Sequence, residues 1–108
     1  YAIQACDWSS DVCSSDLPKR RYSAFFQTDL DITLRELGVK NVIVTGVLTN
    51  ICVRSTVHDA FFLGYRVFVP ADCCQGSSKA IHDAALWDID HYYGYVTDSA
   101  TAIRLLSR

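Results

Sequence analysis

The stretch Val42-Ile-Val-Thr-Gly-Val-Leu-Thr-Asn-Ile-Cys-Val53 decides the fold of this chain. Val42-Ile-Val-Thr45 is a short β-branched run stopped by Gly46, as expected of a strand buried on both faces of a parallel sheet. A helix is expected from about Asn50 to Leu63, because Val53, Val57, Ala60 and Phe61 share one stripe and Gly64 stops it. Strand, tight turn and helix thus follow one another directly, and a cysteine falls in the first helical turn. The same order repeats outward from there. Upstream, Thr28 with Asp31 three residues on has the spacing of a helix start. Leu30, Leu34 and Leu37 then fall on one face, and Gly38 is placed at the C′ position. Downstream, Val67-Phe-Val69 reads as a second buried strand closed by Pro70. Ser77 or Ser78 caps a helix through Ala84, Ala85 and Ile89, Tyr95-Val-Thr97 is a third strand, and Ser99 to Leu106 a terminal helix. Strands alternating with helices over short turns predict an α/β domain with a parallel sheet. Chemistry in such sheets sits at the carboxyl ends of the strands, here the turns Gly46–Asn50, Pro70–Ser77 and Thr97–Ser99.

The 108 residues fit one domain with a single core. Half of them are apolar, which favours a packed interior over disorder. The formal charge of −2, without a basic patch, argues against a nucleic-acid partner. No apolar run approaches the roughly 18 residues that span a bilayer, so no membrane partner is expected. Five cysteines form an odd count without a framework spacing, which points to free thiols in a reducing, cytoplasmic setting.

Residues 1–17 read differently. Asp7-Trp-Ser-Ser-Asp-Val-Cys-Ser-Ser-Asp-Leu17 holds four serines and three aspartates and follows neither a strand nor a helix period. The string resembles the in-frame translation of a sequencing-library adapter. Residues 1–17 are accordingly read as a non-native, disordered leader, and 18–108 as the C-terminal part of a longer domain with about three strands. No strand is expected before Lys19, which would leave the edge of Val42–Thr45 bare.

The first helical turn after Val42–Thr45 is where chemistry is expected. Unpaired N–H groups and the helix dipole stabilise anions there, and the thiolate is the reactive form of cysteine. The same N–H groups can face an oxyanion developing on a substrate carbonyl. Thr49 or Asn50 is placed to cap the helix. From position alone Cys52 reads equally as a small buried hydrophobe.

The segments Lys19-Arg-Arg-Tyr-Ser-Ala-Phe-Phe26, Val44–Val53 and His58-Asp-Ala-Phe-Phe62 together resemble the isochorismatase-like cysteine hydrolases, most closely the ureidoacrylate amidohydrolases, biuret hydrolases and N-carbamoylsarcosine amidases. The resemblance implies a three-layer α/β/α Rossmann-like sheet and an Asp–Lys–Cys triad, in which Cys52 is the nucleophile and Lys19 the lysine. It implies a cis peptide between Val47 and Leu48, with the amides of Leu48 and Cys52 as the oxyanion hole. The implied substrate is a small amide or ureido compound, cleaved at a C–N bond through a covalent Cys52 acyl intermediate. A homo-oligomer is implied as well, and no cofactor. Tyr22, Phe25 and Phe26, which follow the lysine, are candidates for the substrate pocket, as is Asn50. The family's aspartate lies on a strand far upstream of the lysine. Asp7, Asp11 and Asp16 lie in the leader and are not assigned to that role, so the chain as written is expected to be inactive or nearly so.

Other residues have plainer readings. Cys73-Cys74 with His82 match no usual zinc spacing, and no metal is assigned. His58 falls six residues past Cys52, about 600° round the helix, so it faces away from the thiol and reads as a surface residue or one behind the site. Trp87, Tyr92, Tyr93 and Tyr95 read as core and subunit-contact surface. Two other functions stand beside amide hydrolysis: a vinyl-ether hydrolase of the isochorismatase type, against which Cys52 argues, and a non-catalytic α/β binding module.

Overall fold

The computed structural model describes residues 2–5, as backbone, and residues 19–106. The expectations for Cys6–Pro18, including Asp7, Asp11 and Asp16, fall outside the described residues. Along the chain come β1 (Ala2–Ala5), α1 (Leu30–Glu36), β2 (Asn41–Val47), a π-helical turn (Thr49–Val53), α2 (Arg54–Phe62) and β3 (Arg66–Pro70). A 3-10 turn (Ala71–Cys73), β4 (Cys74–Gln75), α3 (Lys79–Asp88), a second π-helical turn (Ile89–Tyr93), β5 (Tyr95–Thr97) and α4 (Ser99–Leu106) follow.

The sheet is parallel, in the order β1-β2-β3-β5, with β4 also pairing with β2. Two of these strands correct the expectation of three. Ala2–Ala5 lies alongside β2 in the register Ala2↔Ile43 to Ala5↔Gly46, so a strand does precede Lys19 and that edge of β2 is paired. A strand edge is a row of unsatisfied N–H and C=O groups that any extended segment can satisfy, whatever its side chains. That is why the composition of these four residues carried no sign of the pairing. β4 is only two residues long, too short for periodicity to register. It arises because the chain leaves β2 after β3, loops out through the 3-10 turn, and rejoins β2 at Gly46 and Val47.

Alternation along the strands divides the layers. Val42, Val44, Val67 and Val69 face a core that includes Leu30 and Leu34 of α1, Val57 and Ala60 of α2, Leu86 of α3, and Val53 and Ile89 of the π-turns. Ile43 and Phe68 point the other way, into a groove they share with Leu105 and Leu106 of α4. The result is an α/β/α arrangement, with α1 to α3 on one face and α4 on the other.

Turn chemistry agrees with the sequence at most of the expected stops. Gly38 and Gly64 take φ of 72° and 93°, a region open chiefly to glycine. Ser78 caps α3 by accepting the Ile81 amide, and Asp98 caps α4 by accepting that of Thr101. Thr28 accepts the Leu30 amide at the start of α1. That helix stops a residue before Leu37, which is 63 % exposed rather than on the buried face. The Phe61 ring likewise leaves the α2 stripe and lies at the surface, against Phe62 and Tyr93. Trp87, Tyr92 and Tyr95 are also exposed, so of the four aromatics only Tyr93 packs against the core.

Candidate active site

Cys52 sits in the π-helical turn that directly follows β2, half-buried and packed against the edge of the core. The peptide between Val47 and Leu48 is cis. The Leu48 carbonyl accepts the amides of Ile51 and Val53, each at 3.1 Å, so the backbone closes around the residue between them. Helix geometry offers no intrahelical partner to the amides of a first turn. The Cys52 N–H belongs to that turn.

Neither Thr49 nor Asn50 caps the helix. The N-cap residue is Leu48, without a side-chain cap. The Thr49 hydroxyl lies 2.7 Å from Nδ1 of His82, and Asn50 bonds Ser77 twice, with its Oδ1 accepting the Ser77 amide (3.1 Å) and its Nδ2 donating to the Ser77 hydroxyl (3.2 Å). Two local caps are thus replaced by long-range bonds to the loop and helix after β3. His82 is half-buried and Ser77 exposed, and each lies about thirty positions along the chain, out of reach of a reading of neighbours alone.

The same loop is fastened at its other end. Asp72 accepts the Ser99 amide (2.8 Å) on one carboxylate oxygen and the Ser99 hydroxyl (2.6 Å) on the other. The three turns at the carboxyl ends of β2, β3 and β5 therefore form one hydrogen-bonded rim, with Cys52 on its β2 side.

Lys19 lies half-buried at the start of a looped segment that runs to Asp29. This segment is anchored near the thiol. The Ala24 amide donates to Oγ1 of Thr56, a fully buried residue one helical turn past Cys52. The Thr28 hydroxyl donates to the Ala24 carbonyl at 2.6 Å, and Arg20 Nε to that of Gln27. Phe25 is 8 % exposed and stacks on Tyr65 at 5.9 Å, so it is a core residue in place of the pocket wall expected of it. Its apolar ring pins the loop to the domain. Tyr22 and Phe26 stand on the open side of the same loop.

His58 is half-buried rather than on the surface. Its ring lies against Tyr93 at 4.1 Å, and Nε2 is buried with no hydrogen-bond partner among the described residues. Burial and the nearby Arg54 hold its imidazole below the ordinary histidine value. Cys73 is exposed and Cys74 half-buried. No group of three or more His, Cys, Asp or Glu side chains among the described residues is arranged to hold a metal ion. No helix among them is long and apolar enough to cross a membrane.

His82, Ser77 and Asp72 are the participants that sequence reasoning missed. In the sequence, Asp72 and Ser77 stand in a strand-to-helix turn, Ser77 as one of two candidate caps for the next helix, and His82 carries no signal beyond its place after Cys73-Cys74.

The sequence profile of the isochorismatase domain matches residues 6–101, and the chain belongs to that family. It is 46 % identical over 83 residues to the ureidoacrylate amidohydrolase RutB of Serratia proteamaculans (strain 568), covering 76 % of this chain and 34 % of that protein. The chain thus spans about a third of the length of this curated relative. Among solved structures, a cysteine hydrolase from Pseudomonas syringae pv. phaseolicola superposes with a TM-score of 0.81 at 30 % identity, over 84 % of this chain and 48 % of that one. An isochorismatase-like hydrolase from Alkaliphilus metalliredigens superposes with a TM-score of 0.78 at 37 % identity, over 83 % and 49 %.

Proposed function

We propose that residues 18–108 are the nucleophile-bearing part of a cysteine amidohydrolase that cleaves a C–N bond in a small ureido or carboxamide substrate. The observation that carries this reading is Cys52 in the first helical turn after a central parallel strand, in a chain 46 % identical to a ureidoacrylate amidohydrolase. In this scheme the Cys52 thiolate adds to the substrate carbonyl carbon, and the oxyanion rests on the amides of Leu48 and Cys52. The Lys19 ammonium favours the thiolate by charge. The C–N bond then breaks, ammonia or an amine leaves with a proton, and a thioester or thiocarbamate remains on sulfur. Water hydrolyses it, releasing the acid and restoring the thiol. The anchoring of the Lys19 loop on Thr56 supports the pairing of the two residues. The proton acceptor is the family's aspartate, which is assigned to none of the described residues. A second copy of the chain is the proposed partner, with the exposed rings of Phe62, Trp87, Tyr92 and Tyr95 supplying apolar surface for it.

Thiol reactivity tests the reading. With iodoacetamide at neutral pH, the Cys52 peptide, followed by mass spectrometry, is expected to alkylate faster than free cysteine, and Cys52→Ser to remove that fast phase. A rate no faster than free cysteine would place Cys52 among inert core thiols and leave a binding module as the better account.

A further inference from the structure

We propose that His82 is a positioning residue for the Cys52 turn, acting through the Thr49 hydroxyl. The inference rests on the reading of Cys52 as the nucleophile and names a residue behind it. Thr49 opens the π-helical turn three positions before the thiol, and it is completely buried. A buried hydroxyl is held by whatever hydrogen bond it makes, and here that bond is the 2.7 Å contact with Nδ1 of His82, thirty-three positions along the chain.

The backbone that carries this imidazole is packed closely against the loop before it. A Cβ added to Gly76 would lie 2.7 Å from the His82 Cβ and 2.9 Å from its Cα, so only a glycine lets the loop press against the first turn of α3. The residue after Thr49 adds a second link, Asn50 bonding Ser77, which directly follows Gly76, through both amide and hydroxyl. Two consecutive residues of the Cys52 turn are therefore tied to a single loop–helix junction. They lie between Leu48 and Cys52, whose amides are the proposed oxyanion donors. A turn gripped at its first and second residues has little freedom to rotate those amides or the thiol. Donors and nucleophiles lose rate steeply when misplaced by about an ångström.

A bond that only glues α3 to the sheet would change stability and leave the thiol alone. The test separates the two by measuring Cys52 alkylation in the full chain, with Cys73 as internal reference, beside urea unfolding. Thr49→Val keeps the shape and removes the hydroxyl; His82→Phe keeps a ring and removes the nitrogen. Each is expected to slow Cys52 by about tenfold with Cys73 unchanged. The double variant is expected to be no slower than either single one, since both remove the same bond. Thr49→Ser, which retains the hydroxyl, and His82→Asn, whose amide reaches the position of Nδ1, are expected to stay within about twofold of the parent rate. Unchanged Cys52 rates in folded Thr49→Val and His82→Phe would overturn the proposal. So would failure of both variants to fold, because the bond would then be holding the domain rather than aiming the thiol. If the unmodified chain itself shows a slow Cys52, the nucleophile reading fails instead, and the two failures are told apart.

Discussion

The amide of Ala24 donates to Oγ1 of Thr56 at 3.1 Å, joining the loop that begins at Lys19 to the helix that follows Cys52. These residues lie thirty-two positions apart, and their bond ties the loop that begins at Lys19 to the helix that follows the Cys52 turn. Thr56→Val removes the acceptor without changing volume and leaves the Ala24 amide unpaired. A loss of about 1–2 kcal/mol in urea unfolding is expected, together with slower Cys52 alkylation as the loop loosens. Full stability in the valine variant would show that water replaces the threonine and that the anchor is dispensable.

His58 makes folding sensitive to mild acid. Burial first, and the Arg54 charge second, hold its imidazole below the ordinary value of 6.5. The unfolded chain therefore takes up a proton near pH 6.5 while the folded chain still resists it. With more protons bound in the unfolded state, this contribution to stability is intact above pH 6.5 and declines as pH falls through the folded value. His58→Phe, which preserves the contact with Tyr93, is expected to flatten the dependence of the urea midpoint between about pH 7.5 and 5. A slope identical to the parent would remove His58 from the account.

The two adjacent cysteines should differ from Cys52 in kind. Burial drives the Cys74 thiol up to about 11, against a smaller opposing effect from its hydrogen bond with the Gly46 backbone. Burial also raises Cys73. At pH 8 only about a thousandth of Cys74 is thiolate, so its alkylation rate is expected to be low and to climb without plateau beyond pH 10. A plateau below about pH 9 would contradict the burial argument.

Gly94 marks a contact between backbones. It joins the second π-helical turn to β5, and a Cβ there would fall 2.5 Å from the Val67 carbonyl oxygen and 3.1 Å from the Val67 Cβ. Its backbone is extended, so the obstacle is space alone. Gly94→Ala is expected to cost about 1–3 kcal/mol by forcing β5 away from β3. An unchanged urea midpoint would mean the strands separate without penalty.

Much of this architecture could be read along the chain. β2, β3 and β5 announced themselves as β-branched runs ended by Gly46 and Pro70 or begun after Gly94, because a strand covered on both faces needs continuous apolar residues. The stripe of Val53, Val57 and Ala60 marked α2 for a similar reason, its packed face recurring at the helical period. Leu37 and Phe61 broke the pattern. Both sit at the last turn of a short helix, where one residue of shortening or rotation moves a side chain from core to solvent.

Sequence alone determined where strand gives way to helix and that a thiol occupies that junction, since both follow from local periodicity and from glycine's freedom at the turns. Tertiary structure alone decided that Ala2–Ala5 would pair with β2, that Phe25 would belong to the core, and that Thr49 and Asn50 would bond His82 and Ser77 instead of capping their own helix. Such bonds join residues some thirty positions apart and leave no periodic trace. They form only once the sheet has set its strand ends side by side, and a buried hydroxyl then takes the nearest partner that the packing supplies.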